Sequence, residues 1–332
     1  LSKHCSQPGW LLDLLIEGID QHCRGFAGDL LRASTERLQV TAAYLAVRPP
    51  GRDEMARVGQ FLSSADHLTI LEAGYSDVPK GFRRALSRIG SQVQDQRCYS
   101  LLYETLARPP SSDVVECIHR MPSIDRQKLL IARMLSPSSL VRPNVVNAIA
   151  GMTATNSVSL AVDVSTAFRL LVERGVDADA LTDAICRIRS ERELMNLWSR
   201  WLSRCIFPAH PVPDTEAYEG IVCGQDLMRL ALQFRNCSKR YLLPIVAGED
   251  GMGVFYHAGK SAMVHLRHSE GRWRMEGAYG PRNAPPPSSL RETLYGHLEA
   301  HGVVVSGRKR KRSEWDAVRR LTQPHFFNFE FD

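Results

Sequence analysis

Gly224-Gln225-Asp226-Leu227-Met228-Arg229-Leu230-Ala231-Leu232-Gln233-Phe234 opens the stretch on which the fold class turns. It reads as a helix and runs into a polar cluster, Arg235-Asn236-Cys237-Ser238-Lys239-Arg240-Tyr241. Strand-like runs follow. Gly253-Val254-Phe255-Tyr256-His257 and Ser261-Ala262-Met263-Val264-His265-Leu266 are rich in β-branched and aromatic residues, and Ala258-Gly259-Lys260 between them predicts a hairpin connection. Arg272-Trp273-Arg274-Met275-Glu276-Gly277 alternates polar and apolar residues, the period of a half-buried strand, with Ser269-Glu270-Gly271 as the turn before it. Pro281 to Pro287 predicts an extended loop. Ser288 or Ser289 is placed to cap a last helix carrying Leu290, Leu294, Tyr295 and Leu298. Helix, antiparallel meander, loop and helix predict a compact α+β unit over residues 215–305.

Upstream the pattern is helical throughout. Residues 9–48 predict two helices, broken at Asp20 or Gly25, and Pro49-Pro50-Gly51 is a stop. A further helix is expected after Asp53, with Met55, Val58, Phe61 and Leu62 on one face. A faint repetition then appears. Ala85-Leu86-Ser87-Arg88-Ile89-Gly90-Ser91 resembles Cys117-Ile118-His119-Arg120-Met121-Pro122-Ser123 and Ala184-Ile185-Cys186-Arg187-Ile188-Arg189-Ser190, with a poorer copy around Gly151. The anchors Arg88, Arg120, Gly151 and Arg187 are spaced by 32, 31 and 36 residues. Each is followed by an amphipathic run: 98–106, 126–134, 160–171 and 193–202. Helix pairs at such a period suggest a stacked α-solenoid, and an irregular helical domain fits the same residues.

The fold class expected is therefore α+β, a large all-helical, solenoid-like N-terminal domain before a smaller domain with an antiparallel sheet. Its parts are a scaffold at 1–205, a proline-rich linker at 206–214, the α+β domain at 215–305, and a basic segment with an aromatic tail at 306–332. Three prolines within Pro208–Pro213 set the linker, because none can continue a helix.

Composition narrows the function classes. The chain has 332 residues, 44% hydrophobic and 23% charged, ordinary for a globular protein. A net charge of +6 is compatible with a polyanionic partner. No run reaches 18 uncharged apolar residues, so no membrane association is expected, and the opening segment lacks a signal-peptide pattern. The first residue is Leu1, which suggests a trimmed chain. Eight scattered cysteines form no CxxC, and His4-Cys5 and His22-Cys23 match no zinc spacing. Buried reduced thiols in a cytoplasmic protein, with no metal, are the expectation. No Gly-rich phosphate loop appears, Asp226, Glu249, Asp250 and Glu276 are dispersed, and no cofactor is expected.

Candidate site residues concentrate at the two ends of the opening stretch. Cys237 beside Lys239 and Arg240 is a candidate nucleophile, with His257 or His265 on neighbouring strands as its base, and a buried packing role suits the same thiol. Gly280-Pro281-Arg282-Asn283 shapes a loop that offers a guanidinium fork and an amide to a phosphate or a base edge. With Arg235, Asn236, Lys239, Arg240 and Tyr241 it predicts a basic cleft with an aromatic wall, suited to single-stranded nucleic acid. Arg308, Lys309, Arg310, Lys311 and Arg312 form a basic run able to neutralise several phosphates, or a solvated linker. A short helix is expected around Trp315 to Leu321, and Phe326 to Asp332 alternates like an edge strand.

Gly224, Asn236-Cys237 and Tyr241 also carry a family resemblance, with Glu276, Gly280 and Asn283 where a later motif falls. Residues 220–300 resemble PcfJ-like proteins of plasmids and other mobile elements. In these a Gly-containing helix leads to an H/N-C-V-x-x-Y motif, then strands, then a Gly and an Asn. The usual His is Asn236 here. The resemblance implies a mobile-element or antiviral-defence setting and supplies no reaction. Three readings follow: a protein binding RNA or single-stranded DNA through the C-terminal cleft, a cysteine- or histidine-dependent enzyme using that cleft, and a scaffold subunit that meets a protein partner through its helical domain.

Overall fold

The computed structural model describes residues 8–152, 156–305 and 318. The basic run 308–312, the helix expected around Trp315–Leu321, the tail 326–332 and His4-Cys5 lie outside the described residues. The chain forms two compact units, Leu1–Val162 and Asp163–Asp332.

The first unit is helical. It opens with Gly9–Asp13, a π-turn at Leu14–Ile19 and Asp20–His22. Gly25, at φ +87°, makes the break, and α1 (Phe26–Arg32) follows it. Two helices expected over 9–48 are thus three runs, the last being α2 (Thr35–Val47). Next come α3 (Met55–Ser64), α4 (His67–Gly74), α5 (Phe82–Ser87), α6 (Gln96–Ala107), α7 (Ser112–Arg120), α8 (Arg126–Met134), α9 (Pro143–Ala150) and α10 (Ser157–Glu173). Ser34, Asp66, Ser111 and Asp125 each accept a first-turn backbone N–H, a cap worth about 1 kcal/mol.

The repeat signature falls at the C-terminus of the first helix of a pair, and the amphipathic runs are α6, α8 and α10 as expected. Within this unit α5, α7 and α9 pack in series, and so do α2, α6 and α8, giving two stacked layers. The Arg88 guanidinium bonds the last carbonyls of α7, Ile118 and His119, and Ile124 N–H donates to Arg88 O at 3.0 Å, tying one pair to the next. Arg120, its counterpart, makes only an exposed pair with Glu116, so the shared signature marks a helix end rather than one repeated contact. Gln39, fully buried in α2, is satisfied by Gly90 O, Gln92 O and the Tyr99 hydroxyl.

The second unit carries the fourth pair, with α11 (Ala178–Cys186) and α12 (Glu191–Leu202) capped by Asp177 and Ser190. Residues 206–214, expected as a linker, are packed into this unit. Phe207 and Val212 are buried and Phe207 N–H donates to Val222 O at 2.8 Å. The division at Val162/Asp163 falls inside α10 instead. Then come β1 (Tyr218–Gly220), α13 (Gly224–Gln233), a 3-10 turn at Ser238–Tyr241, α14 (Leu242–Ala247), β2 (Asp250–His257), β3 (Lys260–Ser269), β4 (Arg272–Tyr279), a 3-10 turn at Pro281–Asn283 and α15 (Ser288–Ala300). The polar cluster Arg235–Tyr241 thus ends in a 3-10 turn, and a short helix, not expected from sequence, follows it. Pro287, not a serine, precedes α15, and no side chain caps it.

The sheet is antiparallel in the order β1-β2-β3-β4. Ala258 and Gly259 both adopt positive φ, as do Glu270 and Gly271, so both hairpins close through two left-handed residues, whose twist suits the flanking strands. One face of the sheet supplies Phe255, Ala262, Val264 and Leu266 to a core closed by Leu290, Leu294 and Leu298 of α15. Strand alternation turns Met263 and His265 to the opposite face. Among the described residues no helix is long and apolar enough to cross a membrane.

Candidate functional site

The site begins with the seating of α13. A Cβ on Gly224 would stand 2.5 Å from Ser203 O, so only glycine lets the helix start this close to the preceding chain. Leu227, Leu230, Ala231 and Phe234 bury one face. The helix ends in a Schellman arrangement. Arg235 N–H donates to Leu232 O at 3.2 Å and Asn236 N–H to Ala231 O at 3.1 Å, with Arg235 left-handed at φ +49°. Glycine usually holds that position.

Past the helix the motif residues divide into structural and exposed ones. Asn236 Oδ1 accepts Ser238 N–H at 3.1 Å and its Nδ2 lies 3.4 Å from Met263 Sδ, so the amide turns the chain and reaches β3. Ser238 is buried and its hydroxyl has no partner. Cys237, Lys239 and Arg240 are exposed. Arg240 Nη2 donates to the Tyr241 hydroxyl at 2.8 Å and its guanidinium stands 5.0 Å from the ring centre.

The other end of the stretch is clamped to the same place. Arg282 N–H donates to Phe234 O at 2.7 Å, and Gly280 N–H to Ala284 O at 2.7 Å. Arg282 and Asn283 are both left-handed, at φ +56° and +59°, and both are exposed. Three non-glycine residues in this sparsely populated region therefore meet at one junction, a concentration of backbone strain typical of functional surfaces. The Arg282–Phe234 bond joins the two ends of the stretch, so Arg235 and Arg282 flank one junction, while Lys239 and Arg240 lie in the turn that leads to Tyr241. None of these four cations has a carboxylate partner among the described residues. Tyr279, half-buried beside them, had no sequence signal. Its ring folds back over Gly277, where a Cβ would meet the hydroxyl at 2.4 Å. Burial, with Tyr241 and Glu276 nearby, pushes its hydroxyl pKa up, and Arg240 opposes that.

Under this surface lies a charged network. His265 is 2% exposed and its Nε2 is 3.0 Å from Asp250 Oδ2. Arg267 Nε donates to Asp250 Oδ1 at 3.0 Å, and its Nη1 is 3.4 Å from Glu276 Oε2. Burial works to raise the Asp250 carboxyl, but the hydrogen bonds and charges of His265 and Arg267 outweigh it and hold it below the ordinary carboxylate range. Asp250 and Glu276, dispersed in sequence, are thus joined through Arg267. The Tyr241 ring roofs His265 at 4.4 Å between centres. Cys237 and His265 share no hydrogen bond, since the imidazole faces Asp250 below and Tyr241 above. His257 sits exposed where β2 turns into β3, opposite Lys260.

Cys98, Cys117 and Cys205 are free thiols and are buried. Burial pushes each of these three thiols up to about 12, out of reach of thiolate chemistry at neutral pH. Among the described residues no group of three or more His, Cys, Asp or Glu side chains is arranged for a metal. Compared with protein-family models, curated proteins and solved structures, the chain matches none.

Proposed function

We propose that the second unit binds single-stranded nucleic acid, RNA or DNA, on the face built from Arg235, Lys239, Arg240, Tyr241, Tyr279, Arg282 and Asn283. One observation carries the reading: four exposed cations without carboxylate partners among the described residues come from the two segments joined by Arg282 N–H to Phe234 O, and one of them, Arg240, sits against the half-buried Tyr241. Guanidinium and ammonium groups suit a phosphate backbone, and tyrosine faces suit unstacked bases. The basic run 308–312 belongs to the same proposal, and so does the mobile-element or defence setting that the PcfJ-like resemblance implies.

Anisotropy with a labelled 20-nucleotide RNA, and with its DNA counterpart, tests it. At about −0.7 per neutralised phosphate, the four cations of this face contribute a slope of about −3 to the fall of log affinity with log salt, whatever the run 308–312 adds. Arg235→Gln with Arg282→Gln brings that slope toward about −1.4, and Tyr241→Leu costs about 1–3 kcal/mol at unchanged slope. No binding of either oligonucleotide at low salt defeats the reading.

A further inference from the structure

The helical unit contains a cavity of about 300 Å³ between α2, the residues after Pro50, α3 and α4. Its volume is that of a small-molecule site. Tyr44, Pro50, Val58, Phe61 and Ala73 make its wall, with the Tyr44 and Phe61 rings 5.9 Å apart and tilted by 53°. Arg48, Glu54 and Arg57 complete the lining.

The polar groups are placed unequally. Glu54 is fully engaged: Oε2 accepts Gly51 N–H at 3.2 Å and Oε1 pairs with Arg57 at 2.7 Å. Arg48 has no carboxylate partner among the described residues. Its Nη1 donates to Ala73 O at 2.9 Å, which fixes the guanidinium and leaves its other N–H groups unspent. Two guanidiniums against one satisfied carboxylate leave the cavity with an excess positive charge. Tyr44 adds a polar group. It is 5% exposed, its hydroxyl has no hydrogen-bond partner among the described residues, and the oxygen is not sealed from solvent. It is therefore free to bond an occupant of the cavity its side chain lines.

We infer that this cavity binds a nucleoside monophosphate, its base against the half-buried Phe61 ring beside Tyr44 and its phosphate on Arg48 and Arg57. The aromatic wall suits a planar ring. The guanidinium fork suits a phosphate better than a single-point anion. The inference stands apart from the nucleic-acid reading of the second unit and survives its failure.

Calorimetric titration of the full chain with AMP, adenosine and inorganic phosphate tests it. AMP binds with a Kd below about 1 mM, and adenosine and phosphate each bind at least about tenfold more weakly, because each keeps one half of the recognition. The double variant Arg48→Gln, Arg57→Gln weakens AMP by about tenfold or more, while Tyr44→Phe weakens it by about three- to tenfold. Both leave the far-ultraviolet circular dichroism spectrum unchanged. Arg240→Gln in the second unit leaves AMP affinity as it was. No saturable AMP binding, AMP binding no tighter than adenosine or phosphate, or AMP binding lost in Arg240→Gln and kept in the Arg48/Arg57 variant each overturns the inference.

Discussion

Arg235 occupies a position where the backbone asks for glycine. At φ +49° it closes the end of α13, and its side chain is one of the exposed cations of the junction with Arg282. A non-glycine residue there costs on the order of 1 kcal/mol. A stability role alone gives no reason to keep an arginine at that cost, whereas a role in phosphate contact does. The two demands separate by mutation. Arg235→Gly is expected to raise unfolding free energy by about 0.5–1 kcal/mol, because glycine meets no Cβ penalty, and to weaken oligonucleotide binding through loss of one cation. Chemical denaturation and anisotropy on the same preparation check both halves. A variant that gains stability and keeps full affinity removes Arg235 from the site. Asn283 is also left-handed, but asparagine tolerates this region, so strain there is smaller and the same reasoning does not apply to it.

At the scale of elements, the β2–β3 turn decides what the site contains. Two left-handed residues, Ala258 and Gly259, set His257 opposite Lys260 and therefore Asp250 opposite Arg267. Ala258 pays for its conformation, and Asn-Gly is the favoured pair for such a turn. Ala258→Asn is expected to stabilise the unit by about 0.5–1 kcal/mol, read as a shift in the denaturation midpoint at unchanged slope. The same turn explains how far the site was legible in sequence. Helices showed through their apolar spacing, and three strands through alternation and β-rich composition. The facing of His265 away from Val264 and Leu266 followed from strand period alone. A three-residue connection at Ala258-Gly259-Lys260 puts His257 opposite Ser261, and the whole pairing then slips by one residue. That slip hides the Asp250–Arg267 pair, because a one-residue shift moves every side chain to the other face. Glu276 was hidden differently: the register shifts at His265/Leu266, and such irregularities have no strong sequence mark. Residues 206–214 misled for a simpler reason. Their prolines exclude helix, as expected, but exclusion from a helix does not exclude burial, and Val212 lies in the core.

Over the whole molecule, acid acts unevenly on the two units. Among the described residues burial lowers the pKa of two histidines, and both belong to the second unit. His210 lies between the Val212 backbone and the Tyr218 hydroxyl, 3.3 Å from its Nε2. Burial lowers it while the Val212 hydrogen bond and Asp214 pull the other way. His297 stacks on Tyr218 at 5.6 Å, is lowered by burial and by His301, and has a buried Nε2 without a partner. Each ring is held neutral in the fold and takes up a proton more readily once unfolded. Their stabilising contribution is complete above the unfolded histidine pKa of about 6.5 and is lost as pH falls from there toward the depressed folded values. The depressed carboxyls of Asp66, Asp113 and Asp250 act only lower, where pH falls through the carboxylate range. Acid between pH 7 and 5 therefore destabilises the second unit first. Tryptophan fluorescence reports on that unit selectively, because four of the five tryptophans, Trp198, Trp201, Trp273 and Trp315, follow residue 162. The fluorescence melting midpoint is expected to drop between pH 7 and 5.5 in the native chain. In His297→Gln, which keeps a polar group and removes one titration, the drop is smaller. An equal drop in both proteins would show that the histidine stack beside Tyr218 does not carry the acid response.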